Sequence, residues 1–372
     1  MHPATSILLD AIRFGAACIV FLSHITSREF NTVLPWVRWG HEAVVVFFVI
    51  SGFVIAFVIN TRENTAFHYA TARLGRLYSV IIPSLALTVI LDVAGRHLDP
   101  GWYTSIPNDQ FVLRLAVNFF FLQQIWNLTV SPLSNGPFWS LSYEFWYYVI
   151  FGAWCFTKRS VRALSIAILC VIVGPRILSF LPLWLCGVAA YKIYSIVSIN
   201  LRIQRAVFLA STLAIVGIGI LGNPLTAPRV SFQLFFPDRY FHLAGMDIFI
   251  GDIPRLPEDF LLATFIAALI ITSRSIDAWI PYEFQLIRGI KYCAGSTFTL
   301  YLFHAPLLYF FSAAFSLDSS SPNQIFMLGA MVFSLCLVFA YIGERQLSIY
   351  RKLISFLLRK LLEWISLVRS KL

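Results

Sequence analysis

A small set of ionisable and hydroxyl side chains interrupts stretches that are otherwise apolar, and these residues are the ones able to do chemistry. The stretch LLDAIRFGAACIVFLSHI, residues 8–25, carries Asp10, Arg13 and His24. Imidazole is the side chain best suited to act as a base near neutral pH. A guanidinium suits a bound anion or a developing oxyanion. Arg13 and His24 are eleven positions apart, so the two share one face of a helix at heights about 16 Å apart. Asp10 precedes Arg13 by three residues and is near enough to pair with it. Ionisable residues inside spans usually face a bundle interior or a water-filled cavity. The plainer alternatives are an interfacial Arg13 anchored by Asp10 and a His24 placed at the outer end of its helix.

Four further motifs follow. FFVISGFVIA holds Ser51 and Gly52, small residues that serve close helix packing or leave room for a substrate chain. ARLGRLY puts Arg73 and Arg76 on one helix face, where they either clamp phosphates or simply anchor the helix at the cytoplasmic surface. GPFWSLSYEFWYY breaks the chain at Gly136 and Pro137 and then starts a span with Trp139, Ser140 and Glu144. A carboxylate in so aromatic a span is costly unless it is paired or functional. STFTLYLFHAPLLYF sets His304 two residues before Pro306, where it could satisfy backbone freed by the proline. Gly-rich phosphate loops, zinc-like His/Cys spacings and serine-nucleophile elbows are missing, so no metal is expected. Nor does any basic-aromatic interleave point to nucleic acid.

The elements that must position these residues are membrane helices. Of 372 residues, 59% are hydrophobic and 12% charged, against about 25% charged in soluble domains. Mean hydropathy is +0.77 and the net charge +10. The six cysteines all lie in apolar runs and read as small buried hydrophobes. Without a basic leader or small-residue cleavage site, the first apolar run is expected to be a retained span. Apolar runs suggest spans near 8–26, 43–60, 77–94, 138–157, 161–174, 176–194, 206–222, 259–273, 293–313 and 325–343. The segment 111–126 is either a further span or an interfacial or re-entrant helix. If it does not cross and the N-terminus is inside, 19 of the 28 Lys and Arg fall inside, 8 outside, and Arg13 within a span. That bias favours an all-α polytopic protein of about ten transmembrane helices with both termini cytoplasmic. The loop 223–258 is then external. Residues 346–372 form a separate basic amphipathic unit after the membrane unit 1–345. Lys352, Ser355, Arg359, Glu363, Ser366 and Ser370 line one face, and Leu357, Leu361, Trp364, Ile365 and Val368 the other. This helix either lies on the inner leaflet or docks on the protein.

In their order, the motifs Arg13-x10-His24, Ser51-Gly52-Phe53, Arg73-x-x-Arg76, Trp139-Ser140-Leu141-x-x-Glu144 and Leu300-Tyr301-x-x-His304 resemble the membrane acyltransferase-3 family, over residues 5 to 345. The resemblance implies transfer of an acyl group, often acetyl, from a cytoplasmic coenzyme A thioester to carbohydrates of the bacterial envelope or exported glycans. It implies an inner-membrane location, a lipid bilayer and a carbohydrate or lipid-linked glycan as partners, and a core of ten spans. Its mechanism has Arg73 and Arg76 hold the coenzyme A phosphates while the pantetheine arm passes Ser51, Gly52 and Phe53. His24 is then the general base, Arg13 polarises the thioester, and Glu144 steers His24. Asp10, Trp139, Ser140 and His304 take substrate-binding or structural places. Two departures stand out. Many members carry two acidic residues where this chain has Glu144 followed by Phe145. Many also carry a fused esterase-like domain, whereas this chain resembles the stand-alone class, so such a partner would be a separate protein. The competing reading is a transporter or flippase for a lipid-linked saccharide. It lacks the inverted repeat and paired broken helices such folds show.

Overall fold

The computed structural model describes residues 1–126, 128–221, 240–243, 246–250 and 256–369. Most of the expected external loop 223–258, with Arg229, Arg239 and Arg255, lies outside the described residues, as do Ser370 and Lys371. Twelve helices follow in chain order among the described residues. They are α1 (Pro3–Ile25), α2 (Gly40–Thr61), α3 (Ala66–Leu98), α4 (Phe111–Phe119), α5 (Ser140–Phe156) and α6 (Arg159–Ile196). After them come α7 (Leu201–Leu221), α8 (Leu256–Ile271), α9 (Phe284–Ala294), α10 (Thr297–Ala314), α11 (Pro322–Phe339) and α12 (Leu347–Arg369). Three short antiparallel strands, Leu128–Thr129, Tyr240–Leu243 and Met246–Ile250, pair in a small sheet with the last one central.

Seven of the described helical stretches are long and apolar enough to cross a membrane, or eight if the bent pair Pro257–Ile271 and Ser273–Trp279 counts as one span. This is the pattern of a multi-pass membrane protein. The expected spans 161–174 and 176–194 correspond to two helical segments within α6, separated by a kink at Gly174, whose φ is 75°. The segment 159–173, 15 residues, rises about 22 Å, and the segment 175–196, 22 residues, about 33 Å. The break is held from outside. Trp126 N–H donates to Val173 O at 2.8 Å, and a Cβ on Gly174 would strike Trp126. The ambiguous segment 111–126 contains only α4, whose nine residues rise about 14 Å, too little to cross.

Helix starts follow local chemistry. Thr65 caps α3 by accepting the His68 N–H, and Pro3 opens α1. Gly136 and Pro137 form a single 3₁₀ turn that leads into α5. At the centre, α2 and α6 approach more closely than any side chain would allow. A Cβ on Gly52 would overlap the Trp184 carbonyl, and one on Gly187 would overlap the Val49 carbonyl. At the C-terminal end, α12 packs along α3 at Gly75, where a Cβ would stand 2.8 Å from Arg351 Cγ. Leu357, Leu361 and Trp364 remain exposed on α12. The helix therefore docks on the protein by one side and presents apolar residues on another.

Replacing Gly187 by Ala should destabilise the α2–α6 contact by about 1–3 kcal/mol. The expected readout is a lower melting temperature of the detergent-solubilised chain. Gly217→Ala, at a position with open space around the glycine, should leave it unchanged or slightly higher.

Candidate functional site

A cavity of about 430 Å³ runs into the bundle between α1, α2, α3, α5, α10 and α12. It follows α2 from Val44 to Arg62, eighteen residues that rise about 27 Å. One end is marked by exposed Arg62 and Arg351, the other by buried Ser140 and Tyr301, whose hydroxyls lie 2.8 Å apart. Five arginines line it, Arg13, Arg62, Arg73, Arg76 and Arg351, against two carboxylates, Glu63 and Glu144. An anion entering this passage meets a positive mouth with low-dielectric walls, which focus the field.

The two motif arginines are not equivalent. Arg73 is buried and ion-paired to Glu63, with its guanidinium over the Tyr148 ring. Its Nε is buried without a hydrogen-bond partner among the described residues. Arg76 has no ion pair among the described residues and lies over the Phe298 ring, 4.7 Å from its centroid. Midway along the passage a chain of hydrogen bonds has a fixed direction. Trp184 Nε1 donates to Ser51 Oγ at 3.2 Å, and Ser51 lies 3.4 Å from the Tyr148 hydroxyl, which donates to Glu144 Oε1. Indole N–H can only donate, so the chain ends on the carboxylate.

Arg13 and Arg76 also wall a second hollow of about 420 Å³ with Asp10, Lys291, Glu344 and Arg345. Asp10 is thus near Arg13 without forming an ion pair with it among the described contacts. Glu344 Oε2 accepts the N–H groups of Phe298 at 3.0 Å and Thr299 at 3.4 Å. It caps α10 where the helix leaves donors unpaired and its dipole favours a negative charge.

The histidines lie beyond the cavity. The His24 and His304 rings are 4.8 Å apart, and neither lines the passage. His304 is three residues past Tyr301, one helical turn or about 4.5 Å further along α10. Each histidine places Nδ1 against the carbonyl four residues back, His24 on Val20 O at 2.9 Å and His304 on Leu300 O at 2.8 Å. A carbonyl only accepts, so both Nδ1 atoms carry hydrogen and both neutral rings keep a lone pair on Nε2. The His304 Nε2 is buried and has no hydrogen-bond partner among the described residues. The carbonyl freed by Pro306 is that of Leu302, and Asn135 Nδ2 at 2.8 Å and Ser84 Oγ at 3.2 Å satisfy it. His304 therefore does not serve the proline break. Past the pair, Glu29 accepts from Tyr309 and, at 3.3 Å, from Ser105. It lines a further hollow of about 370 Å³ with Asp99, Trp102 and Thr104.

The cavity thus gathers Arg13, Ser51, Arg73, Arg76, Ser140 and Glu144 from the sequence motifs. Gly52 and Phe53 face away from it. Gly52 meets α6, and Phe53 packs on Tyr191 and Tyr194. Trp139 packs edge-on against Tyr143. Glu144 bonds to Tyr148, while His24 contacts His304. Sequence reasoning missed Glu63, Tyr148, Arg351, Glu344 and Glu29. Of these only Tyr148 leaves a local trace, four residues after Glu144 on the same helix face. No group of three or more His, Cys, Asp or Glu able to hold a metal occurs among the described residues.

A family model described as an acyltransferase domain matches residues 7–343. The chain is 28% identical over 166 residues to the acyltransferase MdmB of Streptomyces mycarofaciens. That match covers 41% of this chain and 40% of the relative's length. No solved structure matches.

Because Glu63 neutralises a buried guanidinium, Glu63→Gln should destabilise the folded chain by about 3 kcal/mol, the cost of an unpaired buried charge. The double variant Glu63→Gln/Arg73→Gln should recover part of that loss. Melting temperatures in detergent measure both, and an unchanged single variant would remove the pair from the stability of this region.

Proposed function

This chain belongs to the acyltransferase domain family, and on that premise we propose that it moves an acyl group, acetyl first, from coenzyme A to a glycan hydroxyl. The donor enters the arginine-rich mouth with its acyl-pantetheine arm pointing toward Ser140 and Tyr301. Lys291, Arg345 and the cavity arginines cluster at that end of the bundle, so the positive-inside bias turns the mouth to the cytoplasm of an inner membrane. Ten crossings follow if α5, the two halves of α6, and α8 each span. The apolar face of α12 then meets the inner leaflet.

The acceptor, a carbohydrate or lipid-linked glycan, comes from the opposite end through the hollow at Glu29 and Trp102. Its hydroxyl oxygen attacks the thioester carbonyl carbon while His24 Nε2 takes the hydroxyl proton. The new C–O bond forms as the C–S bond breaks, and the proton passes to the departing thiolate. Arg13 stabilises the charge that develops on the carbonyl oxygen. Arg76 and the partly orphaned Arg73 hold the donor phosphates. His304 Nε2, likewise an acceptor, takes a hydrogen bond from a second hydroxyl of the glycan and so orients it. Gly52 lets α2 stand close to α6 and Phe53 packs on Tyr191 and Tyr194 of α6, which together shape the passage.

The observation that carries this reading is one passage, lined by cations, that ends a single helical turn short of two imidazoles with free Nε2 lone pairs. That short interval supports direct transfer over a covalent acyl-enzyme. A saccharide transporter would use the same polar path without consuming thioester.

The test is purified protein in proteoliposomes with labelled acetyl-coenzyme A inside and glycan outside. The expected result is free coenzyme A released together with acetylated glycan, identified by mass. Glycan movement without thiol release would sink the enzyme reading. His24→Ala should lower turnover by about 10²–10⁴ while thioester affinity stays within about twofold. Arg73→Gln/Arg76→Gln should instead weaken coenzyme A binding, more so at low salt.

A further inference from the structure

Arg62 and Arg351 are the exposed cations of the cavity mouth, and neither has an ion pair among the described residues. Arg62 closes α2. Arg351 comes from the distant C-terminal helix α12, and its presence at the mouth depends on Gly75, the glycine between Arg73 and Arg76. A Cβ at Gly75 would meet Arg351 Cγ at 2.8 Å and its Cα at 3.2 Å, so only a bare backbone lets α12 come this near. The mouth therefore holds two positive charges beyond the pair that faces the interior. They lie on separate elements brought together by the fold.

Resting on the acyl-coenzyme A reading above, we propose that Arg62 and Arg351 form a second anion subsite that binds the ribose 3′-phosphate of the donor. A coenzyme A thioester carries two separate anionic groups. Its diphosphate leads into the pantetheine arm, and a dianionic phosphomonoester hangs from the ribose at the opposite extremity. With the arm pointing inward, the diphosphate falls near Arg76 and the nucleotide falls at the mouth. A guanidinium fork matches a terminal phosphate, and two forks from different helices fix its position. Thus α12 is part of the donor site, and it makes the protein distinguish coenzyme A from donors lacking the ribose phosphate, such as a carrier-protein pantetheine thioester.

Titration of the full-length chain in nanodiscs with acetyl-coenzyme A and with acetyl-3′-dephospho-coenzyme A tests this. The unmodified protein should bind the dephospho form about tenfold more weakly, the size of one charge-assisted contact at a partly exposed site. Arg351→Gln should weaken acetyl-coenzyme A alone and bring the two affinities within about twofold. Arg62→Gln/Arg351→Gln should erase the difference. Lys352→Gln, a neighbouring cation that does not line the cavity, should keep the parent ratio. Equal binding of both thioesters by the parent, or equal weakening of both by Arg351→Gln, would overturn the subsite while leaving the donor reading intact. Binding of neither thioester would overturn both.

Discussion

Hydrocarbon offers no water to a polar group, so each ionisable side chain in this bundle must find a partner or border a cavity. That constraint explains most of the internal arrangement. Arg73 is tied to Glu63 and Glu344 to the first turn of α10, while Asp92 accepts from the hydroxyl and backbone N–H of Ser134. Asn135 and Ser84 cover the carbonyl that Pro306 leaves open. Arg13 and Arg76 are held by a different means, since they line hollows rather than pair tightly, and Glu144 both lines the passage and accepts from Tyr148.

The hollows exist because helices elsewhere pack without side chains between them. Gly52 and Gly187 bring α2 and α6 into backbone contact on one side of α2, while its other side, from Val44 to Arg62, faces the passage. Close packing and open space are thus two faces of one helix. Along α10, Tyr301, His304 and Tyr309 mark three successive levels. The passage comes first, the imidazole pair next, and the Glu29 contact last, at steps of three and then five positions along the helix. The passage and the hollow at Glu29 thus lie on either side of the layer that holds the imidazoles. Phe21, edge-on to His304 at 5.9 Å, belongs to that layer.

The histidine pair shows how a local motif acquires meaning only in three dimensions. His24 and His304 are 280 residues apart, and each alone is a polar residue in an apolar helix. Their identical back-bonds to the carbonyl four residues before leave both Nε2 atoms as acceptors. The Pro306 break offered a structural reason for His304, and the fold gives that duty to Asn135 and Ser84 instead. Likewise Arg73 and Arg76 look like a matched pair in ARLGRLY. Burial separates them, since Glu63 stands beside one and not the other.

What the sequence determined by itself was the membrane environment, the start and stop of most apolar helices, and the identity of the polar residues that lipid would not tolerate. These are properties of composition and period, which act locally. It also placed Arg13, Ser51, Arg73, Arg76, Ser140 and Glu144 as a candidate group. Only the tertiary structure decided that Gly52 and Phe53 serve packing, that Trp126 pins the kink between the two segments of α6, and that α12 reaches the cavity with Arg351. It alone added Glu63, Glu344 and Glu29. The reason is physical: an ion pair, a helix cap or a close glycine contact depends on which distant surfaces meet, and no spacing along one chain encodes that meeting.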